Sequence, residues 1–334
     1  MLNLDLFSLG ALTQAINLFP LQYGRISAMG LFRDEFLPVR NFVVDEISGT
    51  LSLLPTTSWG GPPTVASKLT RKARPIAIPQ TAHEDHLDPN DLQDVRAFGS
   101  DTAADMPAMS MARKLARMRA RHDITAEFRK ISCLKGIILD ADGSTTLLNL
   151  FTEFGVSQVT VDFDLGTSST DVRAKCMAVK RNIEDNLLGD MMSGVRAVVS
   201  QEFFDKLVAH PSVQDAYANY QLAAERLGGD MRSGFDFGGI IFEEYRAKAT
   251  TPAGSVVRFI AANEGHAFPV GTMNTFTNNF APADFMETVN TVALPFYAKS
   301  EMIKFERGLD LHTQSNNMPF CARPKVLTKL TSST

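Results

Sequence analysis

NFVVDEISGTLSLLPT (41–56) and TRKARPIAIP (70–79) decide how this chain is organised. Both read as strand. Between them lies TSWGGPPTVASK (57–68), rich in Gly and Pro. Together they make one long hairpin whose core is too small for independent stability. Its tip carries the only tryptophan, Trp59. Such a hairpin either docks on a partner or folds back on its own domain, and the residues leave both open.

Upstream, residues 10–19 read as a short amphipathic helix. Leu12, Ile16 and Phe19 share one face, and Pro20 stops it. A polar, Gly-containing passage runs on to Leu31. This beginning has little of its own to pack on, so it is expected to lie against something else.

Downstream, residues 105–132 carry the strongest helix signal. Asp105 caps it, and Pro107 is tolerated in the first turn. Met111, Leu115, Met118, Phe128 and Ile131 recur at helical spacing. Arg113, Lys114, Arg117, Arg119 and Arg121 crowd the other positions. A phosphate-binding face is one reading; a solvated face or inter-subunit salt bridges are favoured.

Strands with a tight turn at Asp142-Gly143 follow over 136–163. A second amphipathic helix spans 171–188, burying Val172, Cys176, Val179, Ile183 and Leu187 and ending at Gly189. Then come a buried strand (195–200), a helix (201–209) capped by Ser200, and a polar helical stretch (212–227). Strands are expected at 237–248, 255–262, 301–314 and 325–331. The stretch 267–302 has turn chemistry and many Phe, Asn, Thr and Pro residues, but no cluster suited to catalysis. The fold class is α+β with a long excursion near the start.

The 334 residues are 44% hydrophobic and 21% charged, enough for a packed core and against global disorder. The formal net charge of −4 argues against tight nucleic-acid binding. Cys133, Cys176 and Cys321 form no C-x-x-C pair and fit buried thiols in a reducing cytosol. No apolar run reaches the roughly 20 residues of a membrane helix. The N-terminal charge pattern is wrong for a secretory signal, so a soluble protein made in the cytoplasm is expected.

Two motifs suggest chemistry. IILDADGST (137–145) is similar to the signature of haloacid-dehalogenase-type phosphatases, with Asp140 as nucleophile and Asp142 as acid/base beside Mg²⁺. A β-turn is the preferred reading, because no paired downstream acids hold a metal and Asp190 stands alone. HEDH (83–86) offers two histidines and two acids, but nothing nearby completes a tetrahedral zinc site. A solvated loop is expected there. No nucleotide-binding loop and no hydrolytic triad can be assembled.

Taken in order, these segments resemble the lambda-type phage major capsid proteins (the major capsid protein E family), which adopt the Hong Kong 97-like capsid fold. LTQAINLFPLQYGRISAMGLF (12–32) resembles the N-terminal arm. ISGTLSLLPTTSWGGPP (47–63) with RKARPIAIP (71–79) resembles the extended loop, or E-loop. DLQDVRAFGS (91–100) resembles the approach to the spine helix, and LKGIILDADGST (134–145) the peripheral-domain hairpin. VSQEFFDKLVAHPSVQDAY (199–217), FGGIIFEEYRA (237–247), FPVGT (268–272) and FAPADFMETVNTVALPFYAK (280–299) resemble the axial domain, closed by PFCARPKVLTKL (319–330).

The resemblance implies an arm at 1–40, an E-loop at 41–90, a peripheral domain with the spine helix at 91–165, and an axial domain at 166–300. Strands at 301–318 would return to the peripheral domain, and 319–334 would close the axial one. It implies a non-enzymatic shell protein without cofactor or metal. Copies would form pentamers and hexamers of an icosahedral head around double-stranded DNA that they do not bind specifically. A separate scaffolding protein and a portal are implied, with room for a decoration protein; assembly would occur in the bacterial host cytoplasm and the product would be the virion. Inter-subunit contacts are expected at Leu12, Ile16, Phe19, Leu53, Trp59, Lys68, Arg71 and Arg74. Lys68 and Lys72 lie in the loop, but no Asn or Glu partner for a covalent cross-link is identified. An encapsulin-like nanocompartment shell is the alternative.

Overall fold

Apolar spacing in the basic run yields a helix of 29 residues, Pro107–Lys135, about 44 Å long at 1.5 Å per residue. It lies among the elements of a computed structural model that describes residues 9–18, 24–48, 70–89, 107–218 and 231–333. The first are helices α1 (Leu9–Leu18) and α2 (Arg25–Ala28), then strands β1 (Arg33–Phe36), β2 (Asn41–Ser48), β3 (Thr70–Ala77) and β4 (Ala82–Leu87). The long helix is α3. After it come β5 (Ile137–Leu139), β6 (Thr146–Asn149), α4 (Leu150–Phe154), β7 (Val159–Asp162), α5 (Val172–Asn186) and β8 (Gly194–Val199). Next are α6 (Gln201–Ala209), α7 (Pro211–Ala218), β9 (Phe235–Phe237), β10 (Ile240–Glu244), β11 (Lys248–Thr250) and β12 (Val256–Arg258). The last six strands are β13 (Glu264–Val270), β14 (Phe276–Phe280), β15 (Tyr297–Met302), β16 (Leu309–Gln314), β17 (Asn317–Cys321) and β18 (Thr328–Thr331).

Local chemistry explains most boundaries. Ser200 accepts the Phe203 amide at the start of α6, and Asp171 accepts the Ala174 amide at the start of α5. Asn149 caps α4, a short helix not expected from the sequence, and Gly155 ends it in the left-handed conformation at φ 63°. The five expected apolar positions of α5 are buried, as are the five of α3.

The main core forms around a six-stranded sheet in the order β7-β18-β13-β8-β10-β9. β8 runs parallel to β10 and antiparallel to β13. Val195, Ala197, Val198 and Val199 are buried along it, because α5 and α6 bring Val179, Ile183, Phe203 and Leu207 into the same core. A three-stranded sheet, β1-β14-β17, continues this core. A second three-stranded sheet, β15-β16-β4, meets α1 and α3 in a separate cluster.

The expected domain boundaries cut through these sheets. β1, placed with the arm, pairs in parallel with β14. β4, placed with the E-loop, pairs with β16. β7, placed with the peripheral domain, pairs in parallel with β18. Boundaries drawn along the chain follow local composition, whereas strand pairing joins segments more than a hundred residues apart. HEDH (83–86) therefore lies in strand β4 and not in a solvated loop.

The arm also differs from expectation. Leu12 and Ile16 are buried by this chain's own Leu115, Met118, Phe296 and Leu311. The Thr13 hydroxyl and the Asn17 amide reach the carbonyls of Ala298 and Phe296 at 3.4 and 3.0 Å. Their apolar surface is covered within the chain. The partner cluster was invisible in sequence because it is drawn from three distant elements. Phe19, Leu53, Trp59, Lys68 and segment 91–100 lie outside the described residues.

Replacing Ile16, fully buried, by Ala should destabilise the folded subunit by about 3 kcal/mol, the usual cost of a large-to-small core change. Denaturant titration of unassembled protein would measure it; a loss under about 1 kcal/mol would mean that α1 does not pack on its own chain.

Candidate assembly surfaces

The hairpin exists as a ribbon with two unlike faces. β2 and β3 pair antiparallel from Asn41 opposite Ala77 to Ser48 opposite Thr70, and no third strand joins them among the described residues. Alternation sends Phe42, Arg74 and Ile76 to one face. Phe42 packs edge-on to Phe320 with centroids 5.4 Å apart, and Ile76 is buried. The Arg74 guanidinium lies 5.3 Å from the Phe154 ring centroid and 3.7 Å from the Glu153 carboxylate, and it donates to the Glu153 carbonyl. Arg74 was expected to meet a neighbour; it is held by its own α4. Arg71 stands in β3 opposite Ile47.

The other face carries Val43, Ala73, Pro75 and Ala77, all exposed, with Val43 at 61%. Pro75 offers no N–H to a further strand, as suits an edge. One side of the ribbon is thus anchored and the other is exposed and largely apolar, with Asn41 as a polar residue at its end.

The base of this frame is a carboxylate inside α3. Glu127, buried, accepts the Ile26 and Ser27 amides at 2.7 and 3.1 Å, the Ser27 hydroxyl at 3.0 Å and the Tyr245 hydroxyl at 3.0 Å. It caps α2 from a distant element and ties it to Tyr245, the residue that follows β10. Gly24 is required beside it: φ is 134°, and a Cβ would stand 2.9 Å from a Glu127 oxygen. Arg25 then reaches Glu243 at 2.5 Å, and Arg196 reaches the same carboxylate at 3.4 Å. The sequence did contain a signal for Glu127, an acid between Ile124 and Phe128 on the apolar side of the helix.

The basic run divides by role. Arg119 stacks 3.6 Å from the Phe296 centroid, pairs with Asp123 at 3.0 Å and donates to the Ile16 carbonyl at 2.6 Å. It serves neither a solvated face nor a subunit bridge; it fastens α1 to α3. Arg113, Arg117 and Arg121 remain exposed, Arg121 lying 2.7 Å from His83.

Four of the six histidines gather around β4, β16 and α3. His312 lies 2.8 Å from Glu84, and His86 contacts Asp310 across the strands. The hydrogen bond to Asp310 raises the pKa of His86. On the inner face, His122 contacts the Thr313 hydroxyl at 3.0 Å, and burial pushes it down to about 3. In β13, His266 is fully enclosed beside Lys135 and Lys329, and burial likewise pushes it down to about 3. No three His, Cys, Asp or Glu side chains are grouped to hold a metal among the described residues.

The Asp140–Asp142 motif forms a turn. Asp142 accepts the Ser144 and Thr145 amides at 2.9 Å and both their hydroxyls, at 2.9 and 2.6 Å; these bonds pull its pKa down. Gly143 adopts φ 75°. Asp140 lies 3.8 Å from buried Arg129. Asp190, lone in sequence, pairs with Arg323 at 2.5 Å and accepts from Thr275 at 3.0 Å. Each carboxylate is engaged in holding a loop.

A family model described as phage major capsid protein E matches residues 8–332. The chain belongs to this family. It is similar to the major capsid protein of Salmonella phage Felix O1 (isolate Felix O1-VT1), with 30% identity over 351 residues, covering 96% of this chain and 95% of the relative. The major capsid protein of Pseudomonas phage KPP10 is 29% identical over 333 residues, covering 95% of each. Among solved structures, the putative capsid protein of an E. coli CFT073 prophage superposes with a TM-score of 0.57 at 13% identity, covering 97% of this chain and 98% of that one. The mature capsid of bacteriophage PhiM1 gives 0.52 at 15% identity, covering 94% and 88%. These distant likenesses show the Hong Kong 97-like α+β fold. The family shows a shell-forming protein of the phage capsid, located in the virion. Its relatives are phage proteins, so neither the encapsulin nor the phosphatase alternative gains support.

Acid should weaken the subunit through His122 and His266. Both pKa values lie below the ordinary histidine value, so their stabilising effect is complete above pH about 6.5 and falls as pH drops toward about 3. Each ring contributes a slope of about 1.4 kcal/mol per pH unit in that range. Denaturant midpoints between pH 6.5 and 4.5 should fall less steeply in His266→Gln than in the parent; equal slopes would show that His266 is protonated inside the fold. His86 acts in the opposite sense, its contribution being lost as pH rises above about 6.5.

Proposed function

We propose that copies of this chain associate as pentamers and hexamers that tile an icosahedral head around double-stranded phage DNA. The observation that supports this is the two-faced ribbon. Its inner side is anchored by Phe42, Arg74 and Ile76, while Val43, Ala73, Pro75 and Ala77 lie bare. A two-stranded ribbon is marginal alone, and a neighbour covering the outer side completes it. Phe19, Leu53, Trp59, Lys68 and Arg71 are proposed to extend that contact. Leu12, Ile16 and Arg74 are not, because they are engaged within the chain.

The net charge of −4 suits a wall that encloses DNA without gripping its phosphates. A separate scaffolding protein, a portal, room for a decoration protein and assembly in the host cytoplasm belong to the same reading. Many modest contacts between identical copies close such a shell cooperatively.

Val43→Asp tests the ribbon. The side chain is exposed, so subunit stability should change by no more than about 0.5 kcal/mol. With scaffold supplied, negative-stain microscopy should nevertheless find few or no heads. Heads in normal yield from Val43→Asp would refute the ribbon as a subunit contact.

A further inference from the structure

The charge of the long helix runs against that of its chain. The whole sequence carries −4, yet α3 holds eight Lys and Arg residues against two acids, Asp123 and Glu127. Both acids are buried, Asp123 on Arg119 and Glu127 on α2. The exposed charged side chains of α3 are Arg113, Arg117 and Arg121, all of one sign. They recur every four residues and so form a row with a rise of about 6 Å per step.

Its surroundings leave the row basic. Arg121 donates to the His83 ring at 2.7 Å; burial, aided by Arg121, lowers the pKa of His83, so this ring adds no charge at neutral pH. The acids of adjoining β4 face other cations, Asp85 meeting Lys114 at 3.8 Å and Glu84 meeting His312 at 2.8 Å. Ala112, Ala116 and Ala120 flank the arginines and are too short to screen them.

The face also lacks what a protein partner uses. Of the large apolar side chains of α3, only Met109 is exposed among the described residues. Protein interfaces draw their energy from buried aromatic and aliphatic anchors, whereas a polyanion needs only cations in line. Arginine presents a planar fork that matches a phosphate with two parallel hydrogen bonds. A step of about 6 Å lies close to two phosphate intervals of about 3.4 Å along one DNA strand.

We propose that Arg113, Arg117 and Arg121 make a sequence-independent contact with the phosphates of duplex DNA. The inference rests on the reading that the shell encloses DNA, and it names the side chains by which the wall touches it. Three contacts hold weakly. Affinity should fall with salt at a logarithmic slope of about −2.7, so a fourfold rise in salt loosens it about 40-fold. A contact that yields at physiological salt accords with a subunit of net charge −4.

The test measures binding of unassembled full-length subunits to a short fluorescent DNA duplex by anisotropy, titrating salt upward from about 20 mM. The parent should give the slope of about −2.7, and Arg117→Gln should flatten it by about 0.9 with an unchanged melting temperature. Arg117→Lys should keep the parent slope. Arg173→Gln, at an exposed arginine on α5, should leave it unaltered. Absence of binding by the parent at low salt would overturn the proposal, as would an equal flattening in Arg173→Gln, which would mean a diffuse charge effect. Tighter binding of poly-glutamate than of the duplex would also overturn it, by pointing to an acidic protein as the occupant. Head formation separates this inference from the one beneath it: normal heads from a parent that ignores the duplex would sink the arginine contact alone, and a parent that binds the duplex but never forms heads would sink the shell reading.

Discussion

The Glu127 carboxylate is the point on which the frame turns. It sits inside the long helix and is surrounded by donors: two amides and a hydroxyl from α2 and the phenol of Tyr245. A buried charge is tolerated only when its lone pairs are filled, and removing one partner strands it at a cost of several kcal/mol. The start of the chain, the spine helix and the six-stranded sheet are therefore locked in one arrangement. Arg25 and Arg196 on Glu243 extend the same network.

From that frame the apolar surface divides into what the chain covers itself and what it leaves bare. α1 buries Leu12 and Ile16 against its own spine helix and β15-β16-β4 sheet. The ribbon buries one side and exposes the other. In the loop before β15, Val289 and Val292 also stand exposed, although burial of each would be worth about 1.5–3 kcal/mol. A fold that holds such groups in water is shaped for contact between molecules, as the capsid family requires.

Helical periodicity was legible because it is local. The buried faces of α3 and α5, the cap at Ser200 and the Asp142-Gly143 turn follow from residues within a few positions of one another. The HEDH strand was missed because its hydrophobic pattern is weak; β16 makes it a strand by pairing with it. Arg74 read as a contact with a neighbour, and Arg119 as part of a solvated or bridging basic run, because the rings they cover, Phe154 and Phe296, lie far along the chain. The acids of the apparent phosphatase motif were correctly read as a turn, since Asp142 needs only its next neighbours, Ser144 and Thr145, to be satisfied.

By itself the sequence determined the α+β class, the long helix, the ribbon and the family resemblance, all of which depend on short-range spacing or on the order of segments. Tertiary structure alone decided which apolar residues are covered within the chain and which remain for a neighbour. Burial is a property of surfaces brought together from distant segments, and no window along the chain contains both sides of the contact.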